Sequence, residues 1–237
     1  MTPPTDAPQA RSRRQIVRRS ALRSRRALAL AVGLSAAAAA VPVAFSASGT
    51  ALAEVPGDHH SPRVAGYATV ALEVLRQYEA THNPIAGMQY RAALQATAEA
   101  TADEMGTSAV AMARAWTSVD VEHQTAVLAA LSQLGVAYHS DSSQPGVGFD
   151  CSGLTTFAWA EAGVSLPRQS GEQIASAAER DEATAEAGDL AQYPGHVMLY
   201  LGVEGAVVHA SNPENDVELW MLSNGRAEGV RYGDPAD

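Results

Sequence analysis

Cys151 is the only cysteine in the chain, and that single count excludes a fold stapled by intramolecular disulfides. Cohesion must come from a packed apolar core. The 184 residues that follow position 53 are enough for one modest domain with an appendage. A lone thiol also raises the question of reactivity. A single cysteine is more commonly a small buried hydrophobe, but this one stands in Phe149-Asp150-Cys151-Ser152-Gly153, at the head of a segment with helical spacing. Two histidines follow, in Pro194-Gly195-His196-Val197 and in Val207-Val208-His209-Ala210. The set has the composition of a cysteine nucleophile with candidate bases.

The first 53 residues read as a leader. Eight arginines between Arg11 and Arg26 precede an Ala-rich apolar stretch, and Ala51-Leu52-Ala53 supplies the small residues of a signal-peptidase site. A mature chain starting near Glu54 is predicted. Ser24-Arg25-Arg26-Ala27-Leu28 partly fits a twin-arginine signal and slightly favours Tat over Sec export. The rival is an uncleaved anchor, since Ala27 to Ala47 nearly reaches the roughly 20 residues of a membrane span. Pro42, the many alanines and the cleavage triplet argue against it. The predicted destination is the cell wall, the periplasmic space or the medium, with no stable membrane association after cleavage.

Without the leader the charge balance changes sign of emphasis. Eight arginines then face 25 acidic residues, a net charge of −17, and the chain has no lysine. Such a surface has no basic footprint for nucleic acid and is repelled at long range by anionic polymers and lipids. Partners are expected to be neutral, or to be cationic groups engaged at short range.

Residues 54–61 have the composition of a flexible start, in which His59-His60 reads as part of a polar tail rather than a metal site. From Tyr67 the apolar positions Tyr67, Val70, Ala71, Val74, Leu75 and Tyr78 follow one helix face up to Asn83-Pro84. Further helices are predicted over about 89–105, 108–117 and, capped by Asp120, to about Leu134 with Val127, Leu128, Leu131 and Leu134 inward. Residues 62–118 thus form a helical segment, and 119–237 a second domain. His82 and His123 read as surface residues of helices without function.

In the second domain Cys151 to Ala162 is a predicted helix stopped by Gly163. Val197–Leu201 and Ala206–Ala210 are strands joined by Gly202-Val203-Glu204-Gly205, Val217–Leu222 is a third, and Gly229–Tyr232 a fourth. Helices first and an antiparallel sheet afterwards make an α+β domain. If the hairpin loop is symmetric, opposed residues have numbers summing to 407. Met198 then faces His209, His196 faces Ser211, and His196 and His209 are diagonal neighbours on one face, with Cα atoms about 7 to 8 Å apart. One imidazole can orient the other. A thiol at a helix N-terminus beside an imidazolium is acidified by both. His196 would then serve as base and acid and His209 as its orienting partner, with another polar residue such as Asn212 as the alternative, and a first-turn amide would hold the oxyanion. Metal binding by Cys151, His196 and His209 is not expected, because no Cys-x-x-Cys or His-x-x-x-His spacing accompanies them.

Five strings occur in order: Asp150-Cys151-Ser152-Gly153-Leu154, Gly163-Val164-Ser165-Leu166-Pro167-Arg168-Gln169-Ser170, Gly188-Asp189-Leu190, Gly195-His196-Val197 with Tyr200-Leu201-Gly202, and Val208-His209-Ala210-Ser211. Together they resemble the NlpC family of papain-like cell-wall cysteine endopeptidases, over about residues 122–233. The resemblance implies a papain-like catalytic domain, with Cys151 as nucleophile, His196 as base and acid, and His209 as the third, orienting residue. It implies that Tyr138 assists the oxyanion, and that Asp150, Ser152, Arg168 and Ser211 support the site or touch substrate. One departure stands out: where the family has Tyr-x-Trp-Gly-Gly, this chain has Tyr138-His139-Ser140-Asp141-Ser142-Ser143, which bears on the cleft wall and on substrate preference.

The chemistry implied by the resemblance is hydrolysis of an amide bond in peptidoglycan stem peptides, typically between D-glutamate, through its side-chain carboxyl, and a diamino acid such as meso-diaminopimelate. No cofactor is implied. The free amino group of the stem peptide supplies a cation that an acidic cleft can receive. Two other readings differ in class: a catalytically silent peptidoglycan-binding or scaffold protein, and a thiol-dependent amidase or acyltransferase. For residues 62–118 the candidate roles are a spacer, a docking surface for a cell-wall protein, or a lid over the cleft.

Overall fold

Four short polar side chains punctuate the N-terminal half of the computed structural model, which describes residues 61–222 and 229–237. Ser61, Asn83, Ser108 and Asp120 each turn an oxygen onto an amide of the following turn. They thereby start α1 (Pro62–Thr81), α2 (Pro84–Met105), α3 (Ala109–Ser118) and α4 (Val121–Leu131). Gly106 stops α2 in the left-handed conformation, with φ 66°. The predicted leader and all of the predicted flexible start except Ser61 lie outside the described residues.

After a short hairpin of β1 (Ser143–Gln144) and β2 (Gly148–Phe149) comes α5 (Cys151–Glu161), then α6 (Ser170–Ser176). The remaining strands are β3 (Ala178–Arg180), β4 (Leu190–Tyr193), β5 (His196–Tyr200), β6 (Ala206–Ala210), β7 (Val217–Met221) and β8 (Arg231–Asp234). They form one antiparallel sheet in the order β3-β8-β4-β5-β6-β7. The architecture is α+β, as the order of elements predicts. β1, β2, α6, β3 and β4 are additions to the predicted elements. Leu190-Ala191-Gln192-Tyr193 is too short to display a period, and it becomes a strand because β5 and β8 flank it.

Strand alternation sorts the sheet's side chains into two cores. Val197, Leu199, Val208 and Leu219 meet the helices in a main core that also holds Leu128 and Leu154. That core continues without a break into Leu75, Leu94 and Trp116 of α1 to α3. Ala191, Met198, Val207 and Tyr232 pack together on the opposite face. The helical segment therefore shares its core with the sheet domain. Three side-chain polar ties add to it: Arg76 pairs with Glu161, Trp116 Nε1 donates to the Leu201 carbonyl at 3.0 Å, and the Tyr90 hydroxyl donates to Gln124 Oε1 at 2.6 Å. Glu161 ends α5, about 15 Å from its first residue by helix rise, and Leu201 follows the end of β5. The first two lie at the ends of α5 and β5 remote from Cys151 and His196.

His123 departs from its predicted surface position. It is 3% exposed, packed edge-on against Trp159. Its Nδ1 lies 2.7 Å from Asp120 Oδ1, and its Nε2 lies 3.2 Å from Asp234 and 3.5 Å from Asp189. Burial by itself would lower the imidazole's pKa, but Asp189 and Asp120 outweigh it and push it up to about 9. The residue falls on the inner face because Asp120 starts the helix one turn earlier and turns His123 toward β4 and β8.

Candidate active site

The local chain path puts Cys151 at the first position of α5. Asp150 is the N-cap, and its Oδ1 accepts from the Gly153 amide at 2.7 Å. The amides of Cys151 and Ser152, ahead of Gly153 in the same turn, have no acceptor within the helix. They and the helix dipole favour negative charge on the thiol. Cys151 is partly exposed. Gly153 is required here, since a Cβ would stand 1.9 Å from the Ser142 carbonyl oxygen. That carbonyl in turn accepts from the Asp150 amide at 3.0 Å, so the preceding loop is clamped across the helix start.

Arg168 completes this cap. Its guanidinium straddles Asp150 at 3.0 and 2.5 Å and donates to Ser152 Oγ at 2.7 Å. Burial would raise the Asp150 pKa, but Arg168 and the Gly153 amide outweigh it and hold the carboxyl below the usual carboxylate range. Gln173, fully buried on α6, donates to the carbonyls of Ser152 and Pro167 and so fixes the loop that carries Arg168. Three of the residues expected at the substrate, Asp150, Ser152 and Arg168, are thus joined to one another at the helix start that carries Cys151. Tyr138 reaches the same place through its backbone, which bridges Phe149. Its flanking residues bond the same strand, His139 N to Phe149 O and Phe149 N to Ala137 O. Where the family pattern has Trp-Gly-Gly, the loop turns at Asp141 (φ 56°) and runs into β1.

The second group of residues lies on the sheet. Tyr193 and His196 are cross-strand partners on either side of Pro194-Gly195, with Gly195 at φ 87°, the residue pair and conformation of a tight Pro-Gly turn. The β5–β6 ladder pairs Leu199 with Val208 and Tyr200 with Val207, the register expected from the symmetric loop. His196 and His209 are accordingly diagonal neighbours, and their rings meet, Nε2 of His196 2.8 Å from Nδ1 of His209. Both are buried, at 6% and 4% exposure. Tyr193 stacks beside His196 with ring centroids 5.1 Å apart.

Glu218 was not among the expected site residues. It is directly opposite His209 across the β6–β7 ladder, 6% exposed, with Oε1 3.5 Å from His209 Nε2. Ser211 Oγ and Asn215 Nδ2 donate to the same oxygen at 2.8 and 3.0 Å. Burial would raise its pKa, but His209 and Ser211 outweigh it and the group is held below the usual range. Ser211 therefore engages Glu218 rather than standing ready for substrate. Asn212, the alternative third residue, is exposed and turned toward Ser211 and the Glu214 amide. The available signal was a lone acid inside the apolar run Val217-Glu218-Leu219, which only the register turns into a contact.

The structure thus assembles two clusters, one around Cys151 and one around the histidine pair, on elements that pack together, α5 lying against β5 and β6. A capped helix bearing a thiol thus packs against a sheet bearing paired imidazoles, the residue types that cysteine nucleophile chemistry uses. Residues 135–229 match the NlpC/P60 family model, and this part of the chain is an NlpC/P60 domain. It is 40% identical over 104 residues to the peptidoglycan endopeptidase RipB of Mycobacterium tuberculosis, a match covering 37% of this chain and 43% of RipB. The chain thus spans less than half the length of that relative. Among solved structures it is similar to the P60 domain of an antigen from M. avium subspecies paratuberculosis, at 30% identity and a TM-score of 0.42, covering 49% of this chain and 96% of that one. It is also similar to RipD of M. tuberculosis, described as a non-catalytic NlpC/p60 domain protein adapted to peptidoglycan binding, at 27% identity and a TM-score of 0.40, covering 48% and 98%.

Proposed function

We propose that the chain is an exported cysteine endopeptidase that hydrolyses amide bonds in peptidoglycan stem peptides, with the D-γ-glutamyl-diaminopimelate bond as the target. The observation that carries this reading is the 2.8 Å contact between His196 and His209, an oriented imidazole pair on the sheet that supports the Cys151 helix. In the reaction His196 takes the thiol proton and Cys151 Sγ attacks the carbonyl carbon. The C–N bond breaks as His196 returns the proton to the leaving amine, leaving a thioester. Water, deprotonated by His196, attacks the thioester, and the proton passes back to sulfur as the carboxylate leaves. The first-turn amide and the Tyr138 hydroxyl are the oxyanion donors, and the substrate's ammonium group is received by the acidic surface.

The name of RipD puts a silent, wall-binding role beside this one. Retention of Cys151, His196 and His209 in one chain supports hydrolysis instead. Mass spectrometry of stem peptides and whole peptidoglycan, with the purified protein and with Cys151→Ala, tests the proposal. The expected outcome is a fragment ending in D-glutamate, formed by the wild type and absent with the variant. A stem peptide freed whole from the sugar would mean an amidase, added mass an acyltransferase, and binding without product the silent role.

A further inference from the structure

We infer that Glu218 is a positioning residue of the active site, whose carboxylate sets the tautomer of His209 and thereby assigns Nδ1 of His196 as the nitrogen that exchanges a proton with Cys151. The inference rests on the cysteine endopeptidase reading above. Its geometry does not depend on substrate.

The His196–His209 contact joins Nε2 of one ring to Nδ1 of the other, so one of these two nitrogens must carry the proton and the other the lone pair. Which one is decided on the far side of His209. Its Nε2 is buried and has no hydrogen-bond partner among the described residues, and Glu218 Oε1 stands 3.5 Å away. At that separation the contact is one of charge and not a formed hydrogen bond. Still, a lone pair facing a carboxylate is repulsive and a proton facing it is attractive. A neutral His209 therefore carries its proton on Nε2, toward Glu218, and offers its Nδ1 lone pair to His196. His196 must then donate from Nε2, which leaves Nδ1 as its basic nitrogen.

The carboxylate is itself built in. Ser211 Oγ and Asn215 Nδ2 donate to Oε1, and the ladder pairs Glu218 with His209 directly. This arrangement also supplies what an imidazole cannot. When His196 becomes an imidazolium during attack, a neutral third residue stabilises it less than a carboxylate would, and Glu218 adds that charge at one remove, through a ring it polarises. The ionisable groups in contact with the pair are Glu218 from β7 and Tyr193 from β4.

The test is Glu218→Gln, which keeps the shape and the acceptor oxygen but removes the charge. The pH dependence of Cys151 alkylation by iodoacetamide is measured in the wild type and the variant, beside kcat/KM on a stem peptide. The expected result is an alkylation midpoint raised by about one pH unit. kcat/KM should fall about tenfold, a fraction of the roughly 10²–10⁴ that general acid–base catalysis supplies. A folded variant with an unchanged alkylation profile overturns the inference. Should the variant fail to fold, ¹⁵N chemical shifts of the histidines in the wild-type protein decide: a neutral His209 protonated at Nε2 is expected, and protonation at Nδ1 overturns it. If wild-type Cys151 titrates as an ordinary thiol and no product forms, the endopeptidase reading fails, while the His209 tautomer still decides the role of Glu218.

Discussion

At the scale of single residues, the helix start that carries Cys151 is held by its neighbour Asp150. Asp150 accepts from the Gly153 amide, from Ser152 and from both arms of Arg168. Asparagine would keep the capping oxygen and lose the ion pair. Asp150→Asn is expected to lower stability at pH 7 by about 1 to 2 kcal/mol, a modest figure because the Arg168 side chain is 36% exposed. The folded carboxyl is held below its ordinary value. Its contribution is therefore complete above the unfolded pKa of about 3.9 and disappears as pH falls through the lower folded value. Thermal melts at pH 7 and pH 3 check this: the gap between variant and wild type should close at the acid end, and a gap of constant size would contradict it.

At the scale of elements, two devices position the site. The first is the β5–β6–β7 ladder, which sets His196, His209 and Glu218 beside one another by register alone; a slip of one residue would turn each to the opposite face. The second is the His123 cluster, in which α4 brings an imidazole to Asp189, at the entry to β4, and to Asp234, at the end of β8. Asp234 also pairs with Arg180 of β3. Helix and sheet are thus tied at the end of β4 opposite to Tyr193 and its partner His196. With a folded pKa of about 9 against about 6.5 unfolded, the imidazolium's contribution is complete below pH 6.5 and is lost as pH rises through 9. His123→Gln is expected to cost up to about 3 kcal/mol at pH 6 and much less at pH 10, read by urea unfolding at the two values. An equal cost at both would mean that packing, and not charge, is what His123 provides.

At the scale of the whole molecule, the described residues form one body, with the helical segment in the same core as the sheet domain. Trp116 is fully buried and its indole N–H is spent on the β5–β6 connection. Removing residues before Asp120 would bare the surface of α4 that α1 covers. A chain of residues 120–237 is therefore expected to unfold without a cooperative transition, and Trp116→Ala in the full chain to cost about 3 to 5 kcal/mol. Circular dichroism melts of the two proteins against the parent make the comparison. A stable, fully active 120–237 chain would show that the helical segment is dispensable.

Much of this was open to reading from the residues, and the limit has a physical cause. Local chemistry is written locally: the cap at Asp120, the stop at Gly163, and the strand pair around Gly202 to Gly205 depend on neighbours in the chain. The hairpin register follows from loop symmetry, so the meeting of His196 and His209 was legible too. Glu218 and His123 were not. An acid in a strand and a histidine on a helix acquire meaning only from partners nine or more residues away, and their burial is a property of the packed molecule. The same holds for β4, which owes its extended form to the strands on either side, and for the helical segment, whose apolar face announced a partner without saying which surface it would cover. The sequence by itself determined the helices from α1 to α5, the β5–β6 hairpin and the meeting of the paired imidazoles. Which charges are buried beside them, and that one core runs through the whole, was decided by tertiary packing, because long-range neighbours and loss of solvent have no local signature.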